Sequence, residues 1–143
     1  MTPSELNQHI RHFFDAVGRS EIEIYNEFSL QHEFGTWLRA RIGDPQTRIQ
    51  FERPARFFGV DRKLSKKEID MACFTPPAVP LAAMEFKFPR AGQVPIQMFK
   101  FCQDVAFLEE LVLKEKRFPF GCALFAAVDR RWNATNFRRP QSG

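Results

Sequence analysis

The chain has 143 residues and a formal net charge of +4, and 44% of its residues are hydrophobic, with 17 phenylalanines among them. This length suits one compact domain over residues 1–143, and no apolar run approaches the roughly 18 to 20 residues that a membrane span needs. The first residues lack the apolar segment of a signal peptide, which predicts a cytoplasmic protein with no membrane partner. The three cysteines are widely spaced, which predicts reduced, buried thiols and no zinc site.

Two amphipathic helices are predicted at the start of the chain. Residues 4–17 carry apolar side chains at helical spacing, with Ser4 as the predicted cap and Gly18 as the end. Residues 26–42 repeat this pattern between Asn26, a predicted cap, and a terminating glycine.

The middle of the chain changes to strand-like patterns. Residues 47–58, 66–74 and 80–88 are rich in aromatic and branched side chains with partial alternation, which predicts three strands. Residues 95–116 predict a helix that is apolar over a wide arc and packs on a sheet. Residues 117–129 predict a strand buried on both faces. The long helical crossover makes the third and fourth strands parallel, while short connections make the earlier pairs antiparallel. The predicted fold class is therefore α/β with a mixed sheet.

The third predicted strand carries two charges, Glu85 and Lys87, on the face opposite Met84. If the chain folds back symmetrically about the segment TPPAVP, Asp70 of the preceding strand lies opposite Glu85, at about 5 Å. Two carboxylates this close repel each other unless a cation lies between them. Mg²⁺ is commonly held by one or two carboxylates with phosphate and water. The pattern therefore predicts a metal site at which Lys87 orients or deprotonates an attacking water, or neutralises developing charge.

The sequence from Asp70 through fourteen further residues to Glu85-Phe86-Lys87 resembles the D-x(n)-(D/E)-x-K signature of the PD-(D/E)XK nuclease superfamily. The predicted order of elements is similar to the restriction-endonuclease-like core of that family, which has a helix, three antiparallel strands, a helix and a parallel fourth strand. The runs NEFSLQHEFGTWLR and EFKFPRAGQVPIQMFKFCQDVAFLEEL resemble a prokaryotic branch for which no substrate is assigned. The resemblance implies a metal-dependent nuclease, with DNA favoured over RNA. It also implies Mg²⁺ or Mn²⁺ held by Asp70, Glu85, the backbone carbonyl of Phe86, and either Glu27 or Glu33.

The same resemblance implies two further site residues. The family often adds an acidic residue from its first core helix, for which Glu27 and Glu33 are the candidates. Glu27 is favoured because it lies at the edge of the inward stripe, whereas Glu33 is turned about 100° from Phe34 toward solvent. Gln97 belongs to a run, QMFKF, that resembles the Q-x-x-x-Y element of the RecB-like branch, although Phe101 replaces the tyrosine and removes its hydroxyl.

A basic stretch between residues 48 and 67 holds seven lysines and arginines against two acidic residues. Such a cluster is compatible with a polyanionic partner, although solvated charge on an edge strand is the alternative. Given the resemblance, the expected nucleic-acid contacts are Arg48, Arg53, Arg56, Lys63, Lys66, Lys67 and, outside the stretch, Gln93. Lys100 and Asp104 are interpreted as an ordinary i,i+4 pair.

Two functions from different classes remain open. One is a Mg²⁺-dependent phosphodiesterase, and the other is a catalytically inactive nuclease-fold domain that binds nucleic acid or protein. The complete set of Asp70, Glu85 and Lys87 favours the enzyme. Strandedness, sequence specificity and the need for a homodimer stay undetermined.

Overall fold

A computed structural model of the chain describes residues 1–90, 92–127 and 132–140. Its helices are α1 (Pro3–Gly18), α2 (Glu27–Arg41) and α3 (Val94–Glu109), and its strands are β1 (Arg48–Pro54), β2 (Glu68–Thr75), β3 (Val79–Lys87), β4 (Phe120–Ala126) and β5 (Trp132–Arg138). A 3-10 turn, Ala55–Phe58, follows β1, and a π-helical segment, Glu110–Lys114, extends α3. The chain is thus a mixed α/β protein.

The five strands form one mixed sheet in the order β1-β2-β3-β4-β5. β1 and β3 are antiparallel to β2, and β4 is parallel to β3, as predicted from the lengths of the connections. β5 pairs antiparallel with β4 and was not predicted. Its sequence, WNATNFR, is largely polar and lacks the apolar alternation by which a strand is recognised in isolation.

Several predicted boundaries were wrong. α1 is capped by Thr2 rather than Ser4, because Thr2 Oγ1 accepts from the Glu5 N–H at 3.1 Å and Glu5 accepts from the Thr2 N–H at 3.1 Å. The cap of α2 is Asn26, as predicted, and it accepts from the Ser29 N–H at 2.7 Å. The strand predicted over residues 47–58 stops at residue 54, where the 3-10 turn begins.

The helices lie on both faces of the sheet and divide the core in two. α1 and α2 cover one face, where Phe13 and Phe34 pack with Met84 and Phe86 of β3. α3 covers the other face, where Phe107 packs with small side chains of the central strands. Side chains alternate along β3, so Glu85 and Lys87 belong to the face covered by α3. β4 is buried along most of its length, as its apolar sequence predicted.

Only one side of α3 is packed against the sheet. Phe107 and Leu108 are fully buried, whereas Ile96 and Phe99 are 63% and 67% exposed. The prediction that the whole apolar arc packs on the sheet was therefore wrong for the side that also carries Cys102, an exposed thiol. The other two thiols, those of Cys73 and Cys122, are buried as predicted. In the described part of the chain, no helix is both long enough and apolar enough to cross a membrane.

Candidate active site

The antiparallel register of β2 and β3 brings Asp70 and Glu85 together. Met71 pairs with Met84, so the next residues outward along the two strands are Asp70 and Glu85. Nearer the turn the register shifts by one residue, so the symmetric turn inferred from the sequence applies only to the site end of the hairpin. Asp70 is 5% exposed and Glu85 is fully buried. Two carboxylates are therefore buried at the same point of the sheet.

Backbone N–H groups of the opposite strand fix both carboxylates. The Asp70 N–H donates to Glu85 Oε2 at 2.7 Å, and the Phe86 N–H donates to Asp70 Oδ2 at 2.9 Å. Hydrogen bonds from N–H groups to an ionised carboxylate are stronger than neutral ones and orient the acceptor. This reciprocal pair of bonds leaves Asp70 Oδ1 and Glu85 Oε1 to face a common point.

The ammonium of Lys66 occupies that common point. Lys66 Nζ lies 2.7 Å from Asp70 Oδ1 and 2.5 Å from Glu85 Oε1. Burial and the neighbouring Asp70 carboxylate raise the pKa of Glu85, an effect that Lys66 only partly offsets. Burial lowers the pKa of Lys66, but the two carboxylates outweigh burial and the net shift is upward. One cation thus contacts both acids.

Lys66 was predicted to contact phosphate, which stays a prediction; its position between the two carboxylates was not predicted. It belongs to an irregular segment that precedes β2, where no periodicity indicates the direction of a side chain. Its spacing of four residues from Asp70 carries no meaning outside a helix. The strand predicted over residues 66–74 would place Lys66 on the same face as Asp70, but β2 begins at Glu68, so strand alternation does not account for this contact.

Lys87 is paired with carboxylates of two helices. Its Nζ lies 2.9 Å from Asp104 Oδ2 of α3 and 3.9 Å from Glu27 Oε1 of α2. Burial raises the pKa of both acids, and Lys87 partly offsets that rise. The interpretation of Asp104 as the i,i+4 partner of Lys100 was wrong. The sequence did contain a signal that Asp104 faces the sheet, because Asp104 lies between Phe101 and Phe107 on the sheet-facing side of α3.

The other predicted acidic and amide residues differ in their distance from this centre. Glu27 is the first residue of α2 and contacts Lys87, whereas Glu33 lies six residues later, turned by about 120° around the helix axis. No hydrogen bond or ion pair among the described residues joins Glu33 to the site. Gln97 is partly buried on α3, seven residues before Asp104, which places the two on one side of the helix.

An open cleft of about 630 Å³ adjoins the carboxylate pair, and Lys66 lines it. Three other predicted nucleic-acid contacts also line this cleft, and so does one cation that the prediction omitted: Arg56, Lys63, Lys67 and Arg62. Arg62 is paired with Glu115 at 3.4 Å. Asp61 and Glu68 also line the cleft, so its lining holds five cations and two acidic residues, and Lys66 connects it to the two buried acids.

Three predicted nucleic-acid contacts lie outside this cleft. Arg48 pairs with Phe74 near the turn end of β2, so its place in the sheet is away from Asp70. Arg53 stacks its guanidinium 4.2 Å from the centre of the Phe57 ring. Gln93 precedes α3 and accepts a hydrogen bond from the Arg90 N–H at 3.2 Å.

The oxygen donors of the site suit a hard divalent cation. Asp70 and Glu85 supply two carboxylate oxygens to one point, and the Lys66 ammonium is a stand-in ion that demonstrates a single cation can reach both. The Phe86 carbonyl oxygen lies 3.4 Å from Lys87 Nζ. Within the described ranges, no three His, Cys, Asp or Glu side chains converge as a ligand set.

Comparison with protein-family models, with curated proteins and with solved structures finds no match to this chain. The function is therefore inferred from the geometry of the site.

Proposed function

We propose that this chain is a metal-dependent nuclease of the PD-(D/E)XK type, which hydrolyses phosphodiester bonds of nucleic acid, DNA in preference to RNA. The observation that carries the proposal is the buried pair of Asp70 and Glu85, whose free oxygens meet at one cation. The order of helices and strands, with a parallel strand after the crossover helix, agrees with the restriction-endonuclease-like core that the signature implies.

Asp70, Glu85 and the Phe86 carbonyl are the groups that would hold Mg²⁺ or Mn²⁺. The bound cation would acidify an attacking water and offset negative charge that develops on the phosphate. The backbone bonds to Asp70 Oδ2 and Glu85 Oε2 hold the two ligands in place before any substrate arrives. Such fixed orientation is what makes electrostatic stabilisation effective, because no reorganisation is needed during the reaction.

Lys87 supplies the positive charge beside the pair. Its ammonium would orient the attacking water or neutralise the phosphate in the transition state. Asp104 and Glu27 hold this ammonium from two helices, and Gln97 on the same side of α3 as Asp104 would contact substrate. Glu27 is favoured over Glu33 as the additional acidic residue because only Glu27 has an ion pair with a signature residue among those described.

The basic cleft supports nucleic acid as the substrate. Arg56, Lys63 and Lys67 are exposed cations that line the cleft, as expected for contacts with phosphates. A module that only binds a polyanion gains nothing from two buried carboxylates at the edge of its cationic surface. The Lys66 ammonium neutralises only one of the two formal charges, so the pair would still repel phosphate and favour a divalent cation.

The first prediction tests this function with Asp70→Asn. The amide keeps the shape of the side chain and an acceptor for the Phe86 N–H but removes the charge that holds a cation. Cleavage of a panel of labelled DNA and RNA in Mg²⁺ or Mn²⁺ should fall by about 10²-fold or more, the loss expected when a preorganised charged group is removed. Chelation of the metal should abolish cleavage.

Asp15→Asn is the matched control, since Asp15 is exposed on α1, outside the site. This control should cleave like the wild type. If the wild type binds DNA but cleaves no member of the panel, the chain is an inactive binding module. If Asp70→Asn cleaves as fast as Asp15→Asn, the pair of Asp70 and Glu85 is not the catalytic site. Calorimetric titration with Mg²⁺ then tells whether the site still binds metal.

A further inference from the structure

The Lys66 side chain lies between the carboxylate pair and the basic cleft. Its ammonium contacts Asp70 and Glu85, while about a third of its side chain is exposed and lines the basic cleft. The cleft is where phosphate would bind, and the carboxylate pair is where a divalent cation would bind. Because Lys66 lies between these two sites, its ammonium can contact the carboxylates or a phosphate in the cleft, but not both at once.

The backbone around Lys66 is anchored on both sides, so the side chain alone can exchange. The Ser65 N–H donates to Glu110 Oε1 at 3.3 Å, and the Lys67 carbonyl accepts from the Ala55 N–H at 2.9 Å. The four-carbon stem of lysine is flexible and carries a compact charge at its end. The backbone at Lys66 is therefore held in place, while rotation of the side-chain stem can move the ammonium.

Charge favours replacement of this ammonium by a divalent cation. Four carboxylates surround the site, and two ammonium groups oppose them, which leaves a formal excess of two negative charges: Asp70, Glu85, Asp104 and Glu27 against Lys66 and Lys87. A divalent cation between Asp70 and Glu85 neutralises both acids, whereas one ammonium neutralises half of their charge. The ammonium that leaves would enter the cleft beside Arg56, Lys63 and Lys67.

We propose that Lys66 couples metal binding to phosphate binding: the divalent cation displaces the Lys66 ammonium from Asp70 and Glu85, and the released ammonium becomes a phosphate contact in the basic cleft. This inference rests on the proposed metal-dependent function and assigns Lys66 as a positioning residue for substrate. Coupling of this kind is reciprocal, so phosphate in the cleft also strengthens metal binding.

The second prediction compares Lys66→Met with Lys67→Met. Lys67 lines the same cleft, and no described hydrogen bond or ion pair joins its side chain to Asp70 or Glu85. In calorimetry, Ca²⁺, which prefers the same oxygen ligands, should bind Lys66→Met at least about fivefold more tightly than the wild type, the low end of ordinary coupling. Lys67→Met should bind Ca²⁺ like the wild type within about twofold.

The salt dependence of binding to a fluorescein-labelled DNA duplex counts phosphate contacts. With saturating Ca²⁺, the slope of log K against log salt concentration should be smaller for Lys66→Met than for the wild type by about 0.9, the value of one contact. Without Ca²⁺ the two slopes should agree, because Lys66 is then held by the carboxylates. Lys67→Met should lose about 0.9 under both conditions.

A crystal structure of the wild type with Ca²⁺ needs no variant and covers the case in which Lys66→Met fails to fold. Lys66 Nζ should have left both carboxylates. The inference is overturned if Nζ still bridges them beside bound Ca²⁺, or if Lys66→Met changes the slope equally with and without Ca²⁺. Either result leaves the nuclease standing, provided that Asp70-dependent cleavage is observed. Absence of Ca²⁺ binding in both wild type and Lys66→Met would overturn the inference and the metal site together.

Discussion

At the scale of single residues, Lys87 connects the chemistry of the site with its stability. It follows the Glu85-Phe86 pair at the end of β3, and its ammonium reaches Asp104 of α3 and Glu27 of α2. Asp104 is buried, so its charge depends on this partner. Removal of Lys87 therefore has a structural cost in addition to any catalytic effect.

The third prediction uses Lys87→Met, which keeps most of the apolar stem and removes the charge. Cleavage should fall by about 10²–10⁴-fold, as for loss of one proton-transfer group. The free energy of unfolding should fall by about 1–3 kcal/mol, because Asp104 stays buried without its partner. Metal binding should persist, since Asp70 and Glu85 remain. Urea denaturation and a cleavage assay measure the two effects.

The double variant Lys87→Met with Asp104→Asn separates stability from chemistry. The neutral amide no longer needs an ammonium, so most of the lost stability should return while cleavage stays low. Recovery of cleavage together with stability would mean that Lys87 is only a structural partner of Asp104.

At the scale of elements, the contact between α2 and β1 sets the position of the site's helical carboxylate. Gly35 of α2 faces Phe51 of β1, and a β-carbon added at Gly35 would lie 2.3 Å from Phe51 Cζ. Only glycine permits this approach, because any side chain would push the ring or the helix away. Glu27 begins the same helix, so a shift of α2 also moves the carboxylate that contacts Lys87.

The fourth prediction concerns Gly35→Ala. Overpacking against Phe51 should make it less stable than Gly18→Ala by about 1–3 kcal/mol in urea denaturation. Gly18 is the last residue of α1, and a β-carbon added there meets nothing within 4 Å, so Gly18→Ala adds a methyl group to a helix without overpacking. Equal stability of the two variants would show that the Phe51 ring yields without cost.

At the scale of the whole molecule, the arrangement of helices on both faces of the sheet determines which thiols meet solvent. Cys73 of β2 and Cys122 of β4 lie in the core under α1 and α2, and burial raises the pKa of each thiol to about 12. Cys102 lies on the exposed side of α3. Thiol reactivity therefore reports whether α1 and α2 cover their face of the sheet.

The fifth prediction is that the native protein reacts rapidly with a thiol reagent such as iodoacetamide at one cysteine only. The reactive species is the thiolate of an accessible cysteine, so exposure favours Cys102. Cys102→Ser should remove the rapid reaction, and unfolding in urea should release the two remaining thiols. Rapid labelling of Cys73 or Cys122 in the folded protein would contradict the layer arrangement described above.

The sequence by itself determined the order of elements through β4, the direction of each strand pair in β1–β4 and the opposition of Asp70 and Glu85. These features follow from local information, because apolar periodicity distinguishes helix from strand, connection length sets strand direction, and alternation assigns side chains to faces. The charges on β3 were recognisable because they interrupt an otherwise apolar strand.

Only the tertiary structure decided which cations meet those acids. Lys66 comes from an irregular segment and reaches a carboxylate 19 residues away, and Asp104 reaches Lys87 from the crossover helix α3. The pairing of β5 and the exposure of one side of α3 were decided in the same way. Each depends on contacts between distant parts of the chain, which local patterns do not specify, although the sheet-facing position of Asp104 on α3 was a partial signal. The strand that carries Glu85 could be predicted from the sequence, but the ammonium that contacts Glu85 could not.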